Sequence, residues 1–210
     1  MRKLSVLFFL AGLALVLAPA LSQGGLAVFT DQATVPDNNF TTAASFGCTA
    51  GNTGFLNPTA EAADTGGDGD GFELNPTNAF ADGGGNASNI NGNGDRHRYY
   101  SYGISVGTST ICGIEVRLDW WLDSTANTSS MDVELSWDGG TSWTAAKTDT
   151  VETTTEHTTV LGGSVDTWGH AWTVAELSDA NFRARLTSNS GSNNRDFFLD
   201  WVPVTVYYGP

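Results

Sequence analysis

The sequence predicts an all-β protein, a β-sandwich of jelly-roll type with long Gly/Asn-rich loops and an N-terminal extension strand. Three observations predict it. Residues 114–122 alternate strictly: Ile114, Val116, Leu118, Trp120 and Leu122 share one face, and Glu115, Arg117, Asp119 and Trp121 share the other. That is the period of a half-buried strand. The same alternation returns in 131–137 and 181–187, and the connecting stretches are dense in Gly, Asn and Asp, with 25 glycines in 210 residues. About eight short strands joined by such turns describe a sandwich.

In chain order, residues 1–27 have the three parts of a secretion signal. Arg2 and Lys3 precede the apolar run Leu4–Leu17, and small residues at Ala18-Pro19-Ala20 and Gly25-Leu26-Ala27 offer cleavage sites. The run is short for a span of roughly 20 residues, so an extracellular or cell-surface protein is expected, with no membrane segment after cleavage. Loss of Arg2 and Lys3 takes the formal net charge from −14 two units lower. So acidic a chain lacks the basic footprint of a nucleic-acid partner and is attractive to cations.

Residues 28–46 have the composition of a strand, interrupted at Pro36. The sandwich domain is expected over 47–210. Residues 47–95 read as loops with short strands near 72–75 and 87–90, and strands are expected over 98–104, 111–123 and 131–137. Asp138-Gly139-Gly140-Thr141 reads as a turn leading to a partner strand from Trp143. Residues 153–161 favour strand through β-branched side chains, and 174–178 read as one helical turn before the strand 181–187. In the closing segment 195–208, Pro203 lacks a ladder donor and implies an edge or a bulge. Cys48 and Cys112 are the only cysteines. In an exported chain they read first as one disulfide, which would contribute about 4 kcal/mol in the chain-entropy model.

Catalytic signals are few. His97, His157 and His170 fall in unrelated segments without metal-ligand spacing, and no nucleophile elbow or phosphate-cradling loop is present. An enzyme is not expected. The acidic run Asp64-Thr65-Gly66-Gly67-Asp68-Gly69-Asp70-Gly71-Phe72-Glu73 places oxygen ligands at close intervals among glycines, as a structural Ca²⁺ ion requires. Asp64, Asp68, Asp70 and Glu73 are its expected ligands, with Asp82, Asp95 and Asp200 as distant ones. Trp121, Trp143, Trp168, Trp172 and Trp201 could form a sugar-stacking platform. Trp121 has the strongest case for glycan binding, because it lies on the polar parity of its strand.

Three resemblances add to this. Ser136, Asp138, Gly140, Ser142 and Trp143 match the Asp-box, a Ser-x-Asp-x-Gly-x-Ser/Thr-Trp hairpin that resembles a structural element of sialidases and implies nothing about activity. Gly-Leu-Ala ahead of Val28-Phe29-Thr30-Asp31, followed by Asn39-Phe40-Thr41, resembles the start of TasA/camelysin-type matrix-fibre subunits. That resemblance implies a biofilm-matrix filament of copies of this chain, assembled head to tail by donor-strand complementation. Val28, Phe29, Val35 and Phe40 would then be the donor anchors. Asn75–Asp82, Gly113–Val116, Ser136–Gly140 and Asp200-Trp201-Val202 resemble jelly-roll surface domains and carbohydrate-binding modules, in which the last-strand aspartate, here Asp200, helps bind structural calcium. The sequence therefore carries two functional expectations: a secreted filament subunit, and a calcium-stabilised module that binds polysaccharide.

Overall fold

The computed structural model describes residues 51–192 and 194–210. The putty-like composition of 51–95 and the alternating segments after it build two antiparallel sheets packed as a β-sandwich, the fold the alternation predicts. The first sheet has the order β1 (Ala60–Asp64), β3 (Asp95–Tyr100), β8 (Arg183–Ser190), β5 (Ser129–Ser136), β6 (Lys147–Asp149). The second is centred on β4 (Thr110–Leu122), which contains the alternating residues 114–122. One edge of β4 carries β7 (His157–Gly162), and the other carries β9 (Phe197–Trp201) and β10 (Val204–Gly209) end to end. β2 (Ala87–Asn89) lies beyond β9.

Pro203 explains why β9 and β10 are two strands. It contributes no N–H, but its carbonyl accepts from the Arg117 N–H at 3.1 Å, so the pairing with β4 resumes at Val204 opposite Val116. The expected interruption is therefore a break inside the sheet. Residues 51–56 run along the far side of β10: Leu56 N–H donates to Val204 O at 2.8 Å, Val204 N–H returns the bond at 3.0 Å, and Thr53 N–H donates to Val206 O at 3.1 Å.

The inward faces form one core. Ile114, Val116, Leu118, Trp120 and Leu122 of β4 meet Met131, Val133 and Leu135 of β5 and Ala184 and Leu186 of β8 in a single buried cluster. Burial of such side chains contributes about 1.5–3 kcal/mol each. Asp149 ties the sheets together at one side. Its Oδ2 lies 2.8 Å from Trp120 Nε1 of β4 and 2.8 Å from His157 Nε2 of β7, although Asp149 itself ends β6 in the other sheet. A buried carboxylate held by two donors is satisfied rather than stranded.

Three local expectations are corrected. Ala60–Asp64 is a strand, against a sequence reading of loop: alanine and glutamate have weak intrinsic strand preference, and pairing with β3 overrides it. The partner strand after the 138–141 turn starts at Lys147, because Thr144 donates its N–H to Leu135 O and accepts from Leu135 N–H at its Oγ1, closing the hairpin first. No strand forms at the expected 72–75, where Leu74 makes only an isolated bridge to Ser88, and Pro76 opens a 3₁₀ turn over Pro76–Ala79. The helical turn expected at 174–178 is present as a 3₁₀ turn over Val174–Leu177.

The Asp-box segment closes as its residue types require. Asp138 Oδ1 accepts from Ser142 N–H (2.8 Å), Thr141 N–H (3.1 Å) and the Ser136 hydroxyl (3.0 Å), while Ser136 Oγ accepts from Gly140 N–H (2.8 Å). The Ser142 N–H, first among these donors, holds the Asp138 carboxyl below the usual range. Trp143 then lies under the Arg185 guanidinium, 4.0 Å from ring centre to carbon.

Candidate functional site

The outward parity of β4 and its neighbours assembles an aromatic face. Trp121 pairs across the strands with Phe198, ring centres 5.5 Å apart. Two residues along β4, roughly 7 Å away at the usual strand rise, Asp119 is opposite Trp201. The ladder slips between Asp119 and Trp120, leaving Asp200 as the extra residue of β9. Trp201 meets Phe55 edge-on at 5.4 Å, and its indole N–H donates to Asn57 Oδ1 at 2.8 Å. Arg117 lies over both rings, 4.7 Å from Trp201 and 5.8 Å from Phe55.

Arg117 is itself held from below. Its Nε donates to Asp119 Oδ1 at 3.0 Å and its Nη2 lies 2.7 Å from Asp119 Oδ2, with Thr158 Oγ1 at 3.3 Å. Asp119 is fully buried in spite of its outward parity, because the arginine covers it. Around this fork the charge is negative. The Glu156 carboxyl is raised first by desolvation, then by Asp200, Asp119 and Asp82, with Arg117 opposing. The face therefore offers flat apolar rings, a fixed guanidinium and the exposed carboxylates of Asp82 and Glu156. It suits a hydroxyl-rich ligand and repels an anionic one.

A second cluster sits on the opposite sheet. Carboxylate oxygens of Asp68, Asp70 and Asp95 lie within 4.8 Å of one another. Asp68 and Asp95 edge an open hollow of about 500 Å³, lined also by Gly67, Asn91 and Asn93. Asp70 is pushed up to about 6, mainly by its hydrogen bond with Asp68 and then by desolvation, while Asp68 is lowered. Next to it, Phe72 N–H donates to His97 Nδ1 at 3.1 Å, which leaves the ring proton on Nε2, 2.8 Å from Glu61 Oε2. Burial, with the Arg98 charge second, pushes His97 down to about 4.

The expected metal ligands do not converge on one point. Asp68 and Asp70 come together, and Asp95 joins them from β3. Asp64 faces arginines instead, with Oδ2 3.3 Å from Arg185 Nη1 and 3.9 Å from Arg98 Nε. Burial pushes its carboxyl up, but the Thr65 N–H and the two arginines hold it below its usual value. Glu73 spends Oε1 on the Ile90 N–H at 2.9 Å. Asp200 belongs to β9 of the other sheet and Asp82 to a turn, both near Glu156, with Asp200 Oδ2 accepting from the Gly83 N–H at 2.8 Å.

Of the expected tryptophan platform, only Trp121 and Trp201 share a face. Trp168 and Trp172 are buried, their indole N–H groups spent on Ile114 O and Thr167 O, each at 2.8 Å. Trp143 is committed to Arg185. Phe55, Arg117 and Phe198 escaped the sequence reading: Phe55 lies in a loop, and nothing local shows that it reaches Trp201. Cys112 is not a free thiol. Cys48 and the expected donor residues Val28, Phe29, Val35 and Phe40 lie outside the described residues.

No family model and no curated protein matches the chain. Among solved structures it is similar to a truncated AlyQ with CBM32 and alginate lyase domains, at 12% identity and a TM-score of 0.36, over 77% of this chain and 34% of that one. It is also similar to the CBM22-1–GH10 modules of xylanase 10B from Clostridium thermocellum complexed with xylohexaose, at 13% identity and a TM-score of 0.38, over 72% of this chain and 26% of that one. A third is the CBM32 of AlyQ in complex with 4,5-unsaturated mannuronic acid, at 11% identity and a TM-score of 0.34, over 71% of this chain and 96% of that one. The chain thus spans about a third of the first structure and a quarter of the second.

Proposed function

We propose that this protein is a non-catalytic, extracellular module that binds a neutral polysaccharide on the outer face of the β7–β4–β9/β10 sheet. The observation that carries the reading is the set Trp121, Phe198, Trp201 and Phe55 around the Arg117–Asp119 fork. Partly exposed rings supply stacking surface for the apolar faces of pyranose rings, and the fixed guanidinium with the exposed Asp82 and Glu156 carboxylates supplies hydrogen bonds to hydroxyls. A single arginine among Asp119, Asp200, Asp82 and Glu156 selects against uronate-rich chains. The signal-like 1–27 segment supports the extracellular assignment. Among the described residues no helix is long and apolar enough to cross a membrane.

The test is affinity electrophoresis and calorimetry against paired neutral and acidic polysaccharides. Retention by a neutral glycan, weakened at least tenfold in Trp201→Ala and in Trp121→Ala, is the expected result. Retention by acidic glycans alone, or binding indifferent to both substitutions, refutes it. The filament reading rests on residues 28–40 and gains no support from the described residues.

A further inference from the structure

We infer that Asp68, Asp70 and Asp95 form a calcium site that locks the loop after β1 onto the start of β3. Proximity of three acids is not by itself a site. The second observation is Asp95: it is 2% exposed, it lines the hollow, and among the described residues its Oδ2 is buried without a direct hydrogen-bond partner. Its carboxyl is raised by burial, against the lowering pull of the Asp68 and Asn93 backbone and the Asn89 side chain. Its other oxygen, Oδ1, accepts from the Asp68 N–H at 2.8 Å. A carboxylate taken out of water with one oxygen unsatisfied is costly unless a cation compensates it. Among the described residues, none of the three acids has an arginine, lysine or histidine at ion-pair distance. The neighbouring bases are spent elsewhere: Arg96 reaches the Thr65 carbonyl and His97 pairs with Glu61.

The geometry suits a hard cation of calcium size. Oxygens mutually within 4.8 Å fall inside the roughly 5 Å that separates opposite ligands of a Ca²⁺ ion with bonds of about 2.3–2.6 Å. Three carboxylates leave several positions of a six- to eight-fold shell, and the open hollow admits water to them. The loop is shaped to bring its acids to Asp95. Gly67 has φ +57°, and a Cβ there would lie 1.7 Å from Asp95 Oδ1. Gly71 has φ +66°, and a Cβ there would lie 2.7 Å from His97 Nδ1. Only glycine permits this approach at both ends of the acidic stretch. The site lies on the sheet opposite the aromatic face, so it does not depend on glycan binding.

Calorimetry with CaCl₂ on the chelator-treated full chain tests it. We expect saturable binding with Kd of about 10⁻⁴–10⁻³ M, the range of extracellular modules. Asp70→Asn and Asp95→Asn should each weaken it at least tenfold, and Asp82→Asn should leave it unchanged. Should the buried Asp95→Asn fail to fold, the exposed Asp70→Asn decides alone. No saturable calcium binding at concentrations about tenfold above that range overturns the proposal, as does binding untouched by Asp70→Asn. MgCl₂ binding as tight as CaCl₂ overturns the calcium assignment.

Discussion

The two solvent-facing sides of the sandwich are built by the same alternation and differ in how their arginines are partnered. On the β1–β3–β8–β5–β6 side, outward Arg98, Arg183 and Arg185 are neutralised or capped within the chain. Arg185 donates to Glu134 Oε2 through Nε (2.9 Å) and Nη2 (2.7 Å) and reaches Asp64 as well. Arg183 donates to the carbonyls of Asp179 and Ala180 and lies over Tyr100 at 4.3 Å. On the β7–β4–β9/β10 side, Arg117 pairs with Asp119 alone beside Asp82, Glu156 and Asp200, and the rings of Trp121, Phe198 and Trp201 remain partly exposed. Alternation decides which side chains point outward. Partnering decides whether the face they make is a scaffold or a surface left available to a ligand.

The comparison can be broken most severely at Arg185. Arg185→Ala leaves Glu134 without its ion-pair partner and Asp64 with Arg98 alone, both partly buried, and should cost about 3 kcal/mol, as truncating one member of a buried pair does. The denaturation midpoint should fall while glycan affinity stays. An equal loss of affinity would show that both faces contribute to binding.

Acid comes next in size. His97 is pushed from 6.5 down to about 4 in the folded chain, so between these values the unfolded chain binds the extra proton. Stability is therefore fully present above pH 6.5 and declines as pH falls towards 4, by at most about 3 kcal/mol. His97→Gln should remove that component from a chemical-denaturation series run across the window.

On the aromatic face, Trp201→Ala should weaken glycan binding at least tenfold, about 1.4 kcal/mol, with a smaller effect on the midpoint than Arg185→Ala. The smallest effect belongs to the turn. Ser136→Ala deletes the acceptor of the Gly140 N–H and should cost about 1 kcal/mol in the midpoint, without changing affinity.

Much of this was legible in the sequence. β4, β5 and β8 follow from alternation alone, the break at Pro203 from its missing donor, and the 136–143 turn from residue types that bond one another locally. Trp121 was readable as outward because parity is a local property. The rest depended on contacts between distant segments. Ala60–Asp64 becomes a strand only through β3. Phe55 and Asn57 join Trp201 only because 51–56 runs along β10. Asp95 joins Asp68 only because β3 begins beneath a loop that precedes it by about 25 residues. The acidic run advertised itself by density, yet Asp64 and Glu73 within it are held by Arg185 and the Ile90 N–H. Density in sequence says nothing about which charges are already spent.

The run of 51–56 along β10 has a consequence for association. A sheet margin lined with free N–H and C=O groups is a template for any extended peptide. Here that margin is occupied by a segment joined to β1 through residues 57–59 alone, a resident competitor whose short tether corresponds to a millimolar effective concentration. A strand from another molecule arriving at β10 must evict a neighbour that never diffuses away.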